Sequence, residues 1–259
     1  MLSESQRSDF HLNGHILLRN VATGVEIDRF RPILNEVVRN LSTETRSLDD
    51  RDTYGKAFLQ LTNLWRHDER IKHFVFARKF AQIAAALLGV ERVRLYHDQA
   101  LFKEPLGGHT PWHQDRYYWP LDPEKTLTMW MPLVDIDEMM GMLTFASGSH
   151  KISVAGDLAI SDESERAFDA LIAEHGFPIA RAEKMKAGDA TFHFGNTIHS
   201  AGPNRSGVQT REVMTIIYFA DGLRVESPRN IYQAADLEAW LDGISPGEAA
   251  DGPLNPVLN

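Results

Sequence analysis

Near residue 90 the spacing of hydrophobic positions along this chain changes from three or four to two. Between Gly24 and Leu41, the residues Ile27, Phe30, Ile33, Leu34, Val37 and Val38 recur at the spacing of an amphipathic helix. From Asp68 to Leu88 that spacing returns more densely, and Gly89 is placed to stop it. After Val90 come short runs rich in aromatic and β-branched residues: VRLYHDQALFK, TPWHQDRYYW, TLTMWMPLV, MLTFAS, ATFHFGNTIHSA and REVMTIIYF. Many short strands after a helical start predict a mainly β chain with helices (α+β), a β-sandwich or jelly roll backed by the N-terminal helices. The expected layout is a helical part over about 1–89, a β core over about 90–222, and a C-terminal helix and tail.

One helix is expected to interrupt the strands. SDESERAFDALIAEHG has Asp162 and Glu165 at capping-box spacing, an apolar face of Phe168, Leu171 and Ile172, and Gly176 as a stop. Residues 245–259, rich in Pro and Gly, read as a loop tail. No repeat, low-complexity segment or linker divides the 259 residues, so a single domain is expected.

Composition narrows the chemistry. The formal net charge of -9, with no Lys/Arg run, argues against nucleic acid or an anionic membrane surface as partner. With no cysteine there is no disulfide framework and no thiolate metal site, so any metal must use His, Asp or Glu. MLSESQRSDFHLNGH lacks the basic start and apolar core of a signal peptide, no apolar run is long enough to span a bilayer, and LNPVLN is not a peroxisomal address. A cytoplasmic protein is expected.

The candidate chemistry lies in TPWHQDRYYWP, where His113 and Asp115 flank Gln114. With 11 histidines and 36 acidic residues in the chain, about one or two His-x-acid triplets arise by chance, and His67-Asp68-Glu69 at a helix start is read as one of them. His113 and Asp115 differ because alternation in a strand points both side chains to one face. A facial site for non-haem iron needs this pair and one further His, leaving open positions for a co-substrate and oxygen. His193 in ATFHFG and His199 in GNTIHSAGPN are the downstream candidates.

In order along the chain, HTPWHQDRYYWPLDP, Trp130, MGMLTFASGSHK and KAGDATFHFGNTIHSAGPNRSGVQTREVMTIIYF resemble successive motifs of the phytanoyl-CoA dioxygenase family of iron- and 2-oxoglutarate-dependent oxygenases. The likeness runs from about Gln99 to Phe219, with fainter agreement in SDFHLNGHILLRNV. It implies a double-stranded β-helix of jelly-roll type, with His113, Asp115 and His199 matching the iron ligands. His193, inside an aromatic run, is then left to a buried hydrogen bond. Arg211 matches the arginine that pairs with the far carboxylate of 2-oxoglutarate, and Lys103 and Trp130 match positions lining the co-substrate site. Gln99 shares strand parity with Lys103 and joins them as a candidate. The sequence departs from the commoner pattern at Met140, Ala146 and Ala201.

The resemblance implies hydroxylation of a small molecule with Fe(II), 2-oxoglutarate and O2, yielding succinate and CO2; Asp115 argues against a halogenase, in which a small residue replaces the carboxylate. The residues leave two alternatives, a jelly-roll metal enzyme that does not use 2-oxoglutarate and a small-molecule-binding protein of the same fold. Two arginines lie near His199 along the chain. Arg205 sits in the turn-like PNRSG, whereas Arg211 shares a face with Val213, Thr215, Ile217 and Phe219, an apolar row where a guanidinium calls for an anion.

Overall fold

The computed structural model describes residues 2–152 and 158–259. Its N-terminal part runs α1 (Glu4–Asn13), β1 (His15–Leu18), α2 (Gly24–Leu41), α3 (Thr53–Ala57), β2 (Leu59–Thr62), α4 (Glu69–Val75) and α5 (Arg78–Leu88). There follow β3 (Val93–Phe102), β4 (Thr110–His113), β5 (Thr126–Pro132), β6 (Ile136–Asp137), β7 (Leu143–Ala146) and α6 (Asp162–His175). The chain closes with β8 (Ile179–Arg181), β9 (Lys184–Met185), β10 (Ala190–Phe194), β11 (His199–Ala201), β12 (Val213–Ala220) and α7 (Ile231–Trp240).

Two antiparallel sheets, ordered β1-β10-β5-β12-β3-β2 and β4-β11-β7-β8, form a jelly roll. Their inner faces meet through Trp130 and Val213 of the larger sheet and Leu143, Phe145 and Ala201 of the smaller. Alternation along β5 explains the layering. Leu127, Met129 and Met131 point outward into a core shared with α2, α4 and α5, while Thr128 and Trp130 point inward to a cavity. In β12, Met214, Ile216 and Tyr218 face the same helices, and Thr215 and Ile217 face the cavity.

The helices form where their caps and apolar stripes agree. Thr23 and Glu26 close a capping box on α2, and α5 stops at Gly89, whose φ of 67° is left-handed. The stretch from Asp68 to Leu88 is two helices rather than one, broken at Phe76 and Ala77 so that Phe74 and Phe80 meet, with ring centroids 5.1 Å apart, in one core. Each such buried side chain contributes roughly 1.5–3 kcal/mol.

The structure departs from the sequence reading in three further places. Strands β1 and β2 lie within the stretch that reads as helical; at four residues each they are too short to show a period, and they become strands by pairing with β10 and β3. Helix α6 is capped by Ser161 with Ser164 rather than by Asp162 with Glu165. Glu165 instead accepts the Trp112 backbone N–H at 2.6 Å, while Phe168 and Ile172 pack on Trp112 and Ile198. The C-terminal tail is pinned along β3: Leu95 and Leu258 backbone N–H groups donate to Pro256 and Val93 carbonyls, and buried Asn255 donates to Leu95 and Trp240 carbonyls.

Candidate metal centre

Pairing of β4 with β11 sets His199 directly opposite His113, with ring centroids 4.1 Å apart. Asp115 is not in the strand. Strand β4 ends at His113, Gln114 stays extended (φ -124°, ψ 132°), and Asp115 opens a single 3-10 turn, so its carboxylate still returns to the side of His113. One ligand-capable atom from each of His113, Asp115 and His199 lies within 4.8 Å of the others. Both His Nε2 atoms are 3.8 Å from Asp115 Oδ1.

The surrounding bonds aim these atoms inward. His113 Nδ1–H donates to the Pro111 carbonyl at 2.7 Å and His199 Nδ1–H to that of Thr197 at 3.0 Å, which leaves each Nε2 lone pair for a cation. On Asp115, Oδ2 accepts from Thr128 Oγ1 at 3.0 Å and from His193 Nε2 at 3.3 Å, so Oδ1 remains available. His193 is thus a buried neighbour that orients the carboxylate; its Nδ1 has no partner.

Burial, followed by the neighbouring His199, pushes the His113 pKa down to about 3; burial and then His193 push His199 down to about 4. For Asp115, burial pushes the carboxyl up, but His199, His193 and His113 outweigh it and hold it well below the usual range. Two neutral imidazoles and one ionised carboxylate form a donor set that fits a divalent transition metal, with coordination positions left over.

A cavity of about 400 Å³ opens from this triad between the sheets. Arg211 lines it, 1% exposed and, among the described residues, without an acidic partner. Its Nη1 donates to the Gly141 carbonyl at 2.6 Å, its guanidinium carbon lies 5.3 Å from the Trp130 ring centroid, and its buried Nε has no partner. Burial lowers its pKa to about 9, since a buried guanidinium is costly unless an anion pairs with it. Arg205 is exposed in the preceding turn.

Gln99 and Trp130 also line the cavity. Lys103 stands behind that wall: its ammonium donates to the Gly108 carbonyl and to Oγ1 of cavity-lining Thr110. Burial, and then Arg211, lower the Lys103 pKa to about 6. Backbone bonds of 2.9 Å in both directions tie Lys103 to Arg211. Sequence reasoning missed Gln60 and Thr62 on β2 and Asp236 and Trp240 on α7, all in the lining. The alternation of LQLT was too short a signal, but the i, i+4, i+8 row of Tyr232, Asp236 and Trp240 was there to be read.

With the triad, the lone arginine and the sheet order in place, comparison with known proteins assigns the family. The family described as Phytanoyl-CoA dioxygenase (PhyH) matches residues 10–213. The chain belongs to the phytanoyl-CoA dioxygenase family. A relative from Stutzerimonas stutzeri, named as a probable alpha-ketoglutarate-dependent hypophosphite dioxygenase, is 26% identical over 159 residues, 60% of this chain and 55% of that relative. The peroxisomal phytanoyl-CoA dioxygenase of Bos taurus is 25% identical over 228 residues, 80% of this chain and 65% of the bovine protein. The chain therefore spans less than two thirds of the length of these family members.

Solved structures share the fold across nearly the whole chain. The non-heme alpha ketoglutarate dependent carbocyclase SnoK from nogalamycin biosynthesis superposes with a TM-score of 0.80 at 23% identity, covering 100% of this chain and 97% of SnoK. The epimerase SnoN, in complex with Fe3+, alpha ketoglutarate and nogalamycin RO, gives 0.80 at 22% identity, covering 99% and 98%. The jelly roll read from the strand pattern is thus the fold of this family member.

Proposed function

We propose that this chain is one oxygenase domain that uses Fe(II), 2-oxoglutarate and O2 to hydroxylate a small molecule, with succinate and CO2 as co-products. The observation that carries this reading is Arg211, a buried cation with no acidic partner among the described residues, opening on the same cavity as His113, Asp115 and His199. A metal enzyme that did not use 2-oxoglutarate would leave that guanidinium buried at a cost that the Gly141 carbonyl and the Trp130 ring offset only in part.

In this reading His113, Asp115 and His199 hold Fe(II) on one face, and Arg211 with Trp130 receives the far carboxylate of the co-substrate as a charge-assisted pair. Bound Fe(II), 2-oxoglutarate and O2 supply an oxidant for a C–H bond: one oxygen atom enters the alcohol and the other enters succinate as CO2 leaves. His193 and Thr128 keep the Asp115 carboxylate turned to the metal. Lys103 holds Thr110 in place, while Gln99 forms part of the lining. The aromatic walls exclude water from the reacting centre.

The reading also takes the protein as cytoplasmic and as having no nucleic-acid partner, supported by the absence of cysteine and the net charge of -9. No described helix is long and apolar enough to cross a membrane. The test is direct: iron-loaded protein is assayed for 2-oxoglutarate binding without oxygen and for succinate on admitting it. Binding and slow uncoupled succinate formation are expected. Neither, across a broad substrate panel, would leave a metal enzyme of another kind or a binding module.

A further inference from the structure

Among the described residues the cavity is lined, histidines and tyrosines aside, by three ionisable side chains, Asp115, Arg211 and Asp236. The metal accounts for the first and the co-substrate for the second, which leaves Asp236 on α7. Among the described residues no Lys, Arg or His forms an ion pair with it. Its carboxylate accepts from Tyr96 Oη at 2.9 Å.

The neighbours do not offer a hidden cation. His97, 2% exposed beside Trp240 at 5.4 Å between ring centroids, is held neutral by burial, its pKa lowered to about 3. A chain of side-chain bonds reaches it: Tyr54 donates to Gln60, Gln60 to Gln99, and Gln99 Nε2 lies 3.4 Å from His97 Nδ1. Burial raises Asp236 to about 7, so the cavity without a ligand disfavours its charge.

Aromatic residues share the helix and the cavity with the acid. Tyr232, Asp236 and Trp240 succeed one another at four-residue intervals on α7. Tyr232 meets Tyr118 of the cavity wall at 5.6 Å between ring centroids, and Trp240 lines the same cavity. A carboxylate in an aromatic-lined cavity is the recognition chemistry of an organic ammonium ion, which donates a charge-assisted hydrogen bond to the acid and is attracted by the rings.

We propose that Asp236, with Trp240 and Tyr118, forms a substrate subsite for a protonated amine, so that the molecule oxidised is a small organic amine rather than a neutral or anionic compound. The assignment rests on the oxygenase reading for the word substrate, whereas the binding itself needs only Asp236 and its rings.

The test is calorimetric titration, without oxygen, of the full chain loaded with Fe(II) and 2-oxoglutarate. The probes are matched pairs: cyclohexylamine and cyclohexanol, benzylamine and benzyl alcohol, glucosamine and glucose, with cyclohexanecarboxylate as the anionic arm. At least one amine is expected to bind about ten- to a hundredfold tighter than its alcohol. Asp236→Asn should abolish the preference and Asp236→Glu retain part of it, both with the wild-type 2-oxoglutarate affinity. No amine outbinding its alcohol, a preferred carboxylate, or a preference that survives Asp236→Asn would each overturn the proposal. Failure of 2-oxoglutarate itself to bind would instead sink the oxygenase reading, and the amine preference is then read on the chain loaded with Fe(II) alone.

Discussion

Arg211 and Glu212 are neighbours in the chain but serve opposite sides of the larger sheet. Glu212 turns to α2, where its oxygens accept from Arg31 Nε at 2.6 Å and Arg31 Nη2 at 2.8 Å, and Asn35 adds a third bond at 3.2 Å. Arg211 turns into the cavity and keeps its charge uncompensated. The nearest acid in sequence is thereby withheld from the one arginine of the site.

If Arg211 pairs with the co-substrate, removing it deletes a charged hydrogen-bonding partner worth roughly 1.5–3 kcal/mol, about one to two decades of affinity. Arg211→Ala should weaken 2-oxoglutarate binding by that much with iron affinity nearly unchanged, and exposed Arg205→Ala should do little. Binding isotherms on the iron-loaded variants decide it, and a large loss in Arg205→Ala alone would show the assignment to be wrong.

Gly141 holds Arg211 through its carbonyl and has a φ of 74°; an added Cβ would stand 2.3 Å from the Gly202 carbonyl oxygen. Gly141→Ala must therefore shift the backbone that aims the guanidinium. Weakened 2-oxoglutarate binding with near-normal iron stoichiometry is expected. Unchanged co-substrate affinity would mean that Arg211 does not need this carbonyl.

His193 and His199 should separate in an anaerobic iron titration. His199→Ala is expected to abolish tight binding and turnover, as are His113→Ala and Asp115→Ala. His193→Ala removes only the bond that orients Asp115, so one iron should still bind, about ten- to a hundredfold more weakly. Full binding in His199→Ala with loss in His193→Ala would exchange their roles.

Acid should destabilise the metal-free fold through histidines outside the triad. Burial lowers His15 to about 4 and His97 to about 3, against about 6.5 in an unfolded chain. The unfolded state then binds more protons across that window, so stability present above pH ~6.5 is lost as pH falls through the folded values, by at most about 3 kcal/mol for His15. Asp98 and Asp236, raised to about 7 by burial, pull the other way, so the readout is the difference between wild type and His97→Gln. Denaturation midpoints from pH 7 to 4 should fall less in the variant; parallel curves would refute the assignment.

Local pattern determined much of this protein. Period-two runs marked the strands that carry His113, Trp130, His199 and the approach to β12, and parity alone separated Trp130 from Met129 and Met131, because a strand's side chains alternate whatever it packs against. Residue chemistry and spacing put forward His113, Asp115 and Arg211, and left His193 and His199 both open as the third ligand until the family resemblance favoured His199. Tertiary structure decided what depends on partners distant in the chain. β2 becomes a strand only by pairing with β3, which brings Gln60 to Gln99; α7 reaches the cavity only because the chain after β12 folds back over it, bringing Asp236 to Tyr96 across 140 residues. His193 and His199 look alike in one dimension. They part only because β11 pairs with β4 and β10 with β5, which puts one imidazole opposite His113 and the other behind the Asp115 carboxylate.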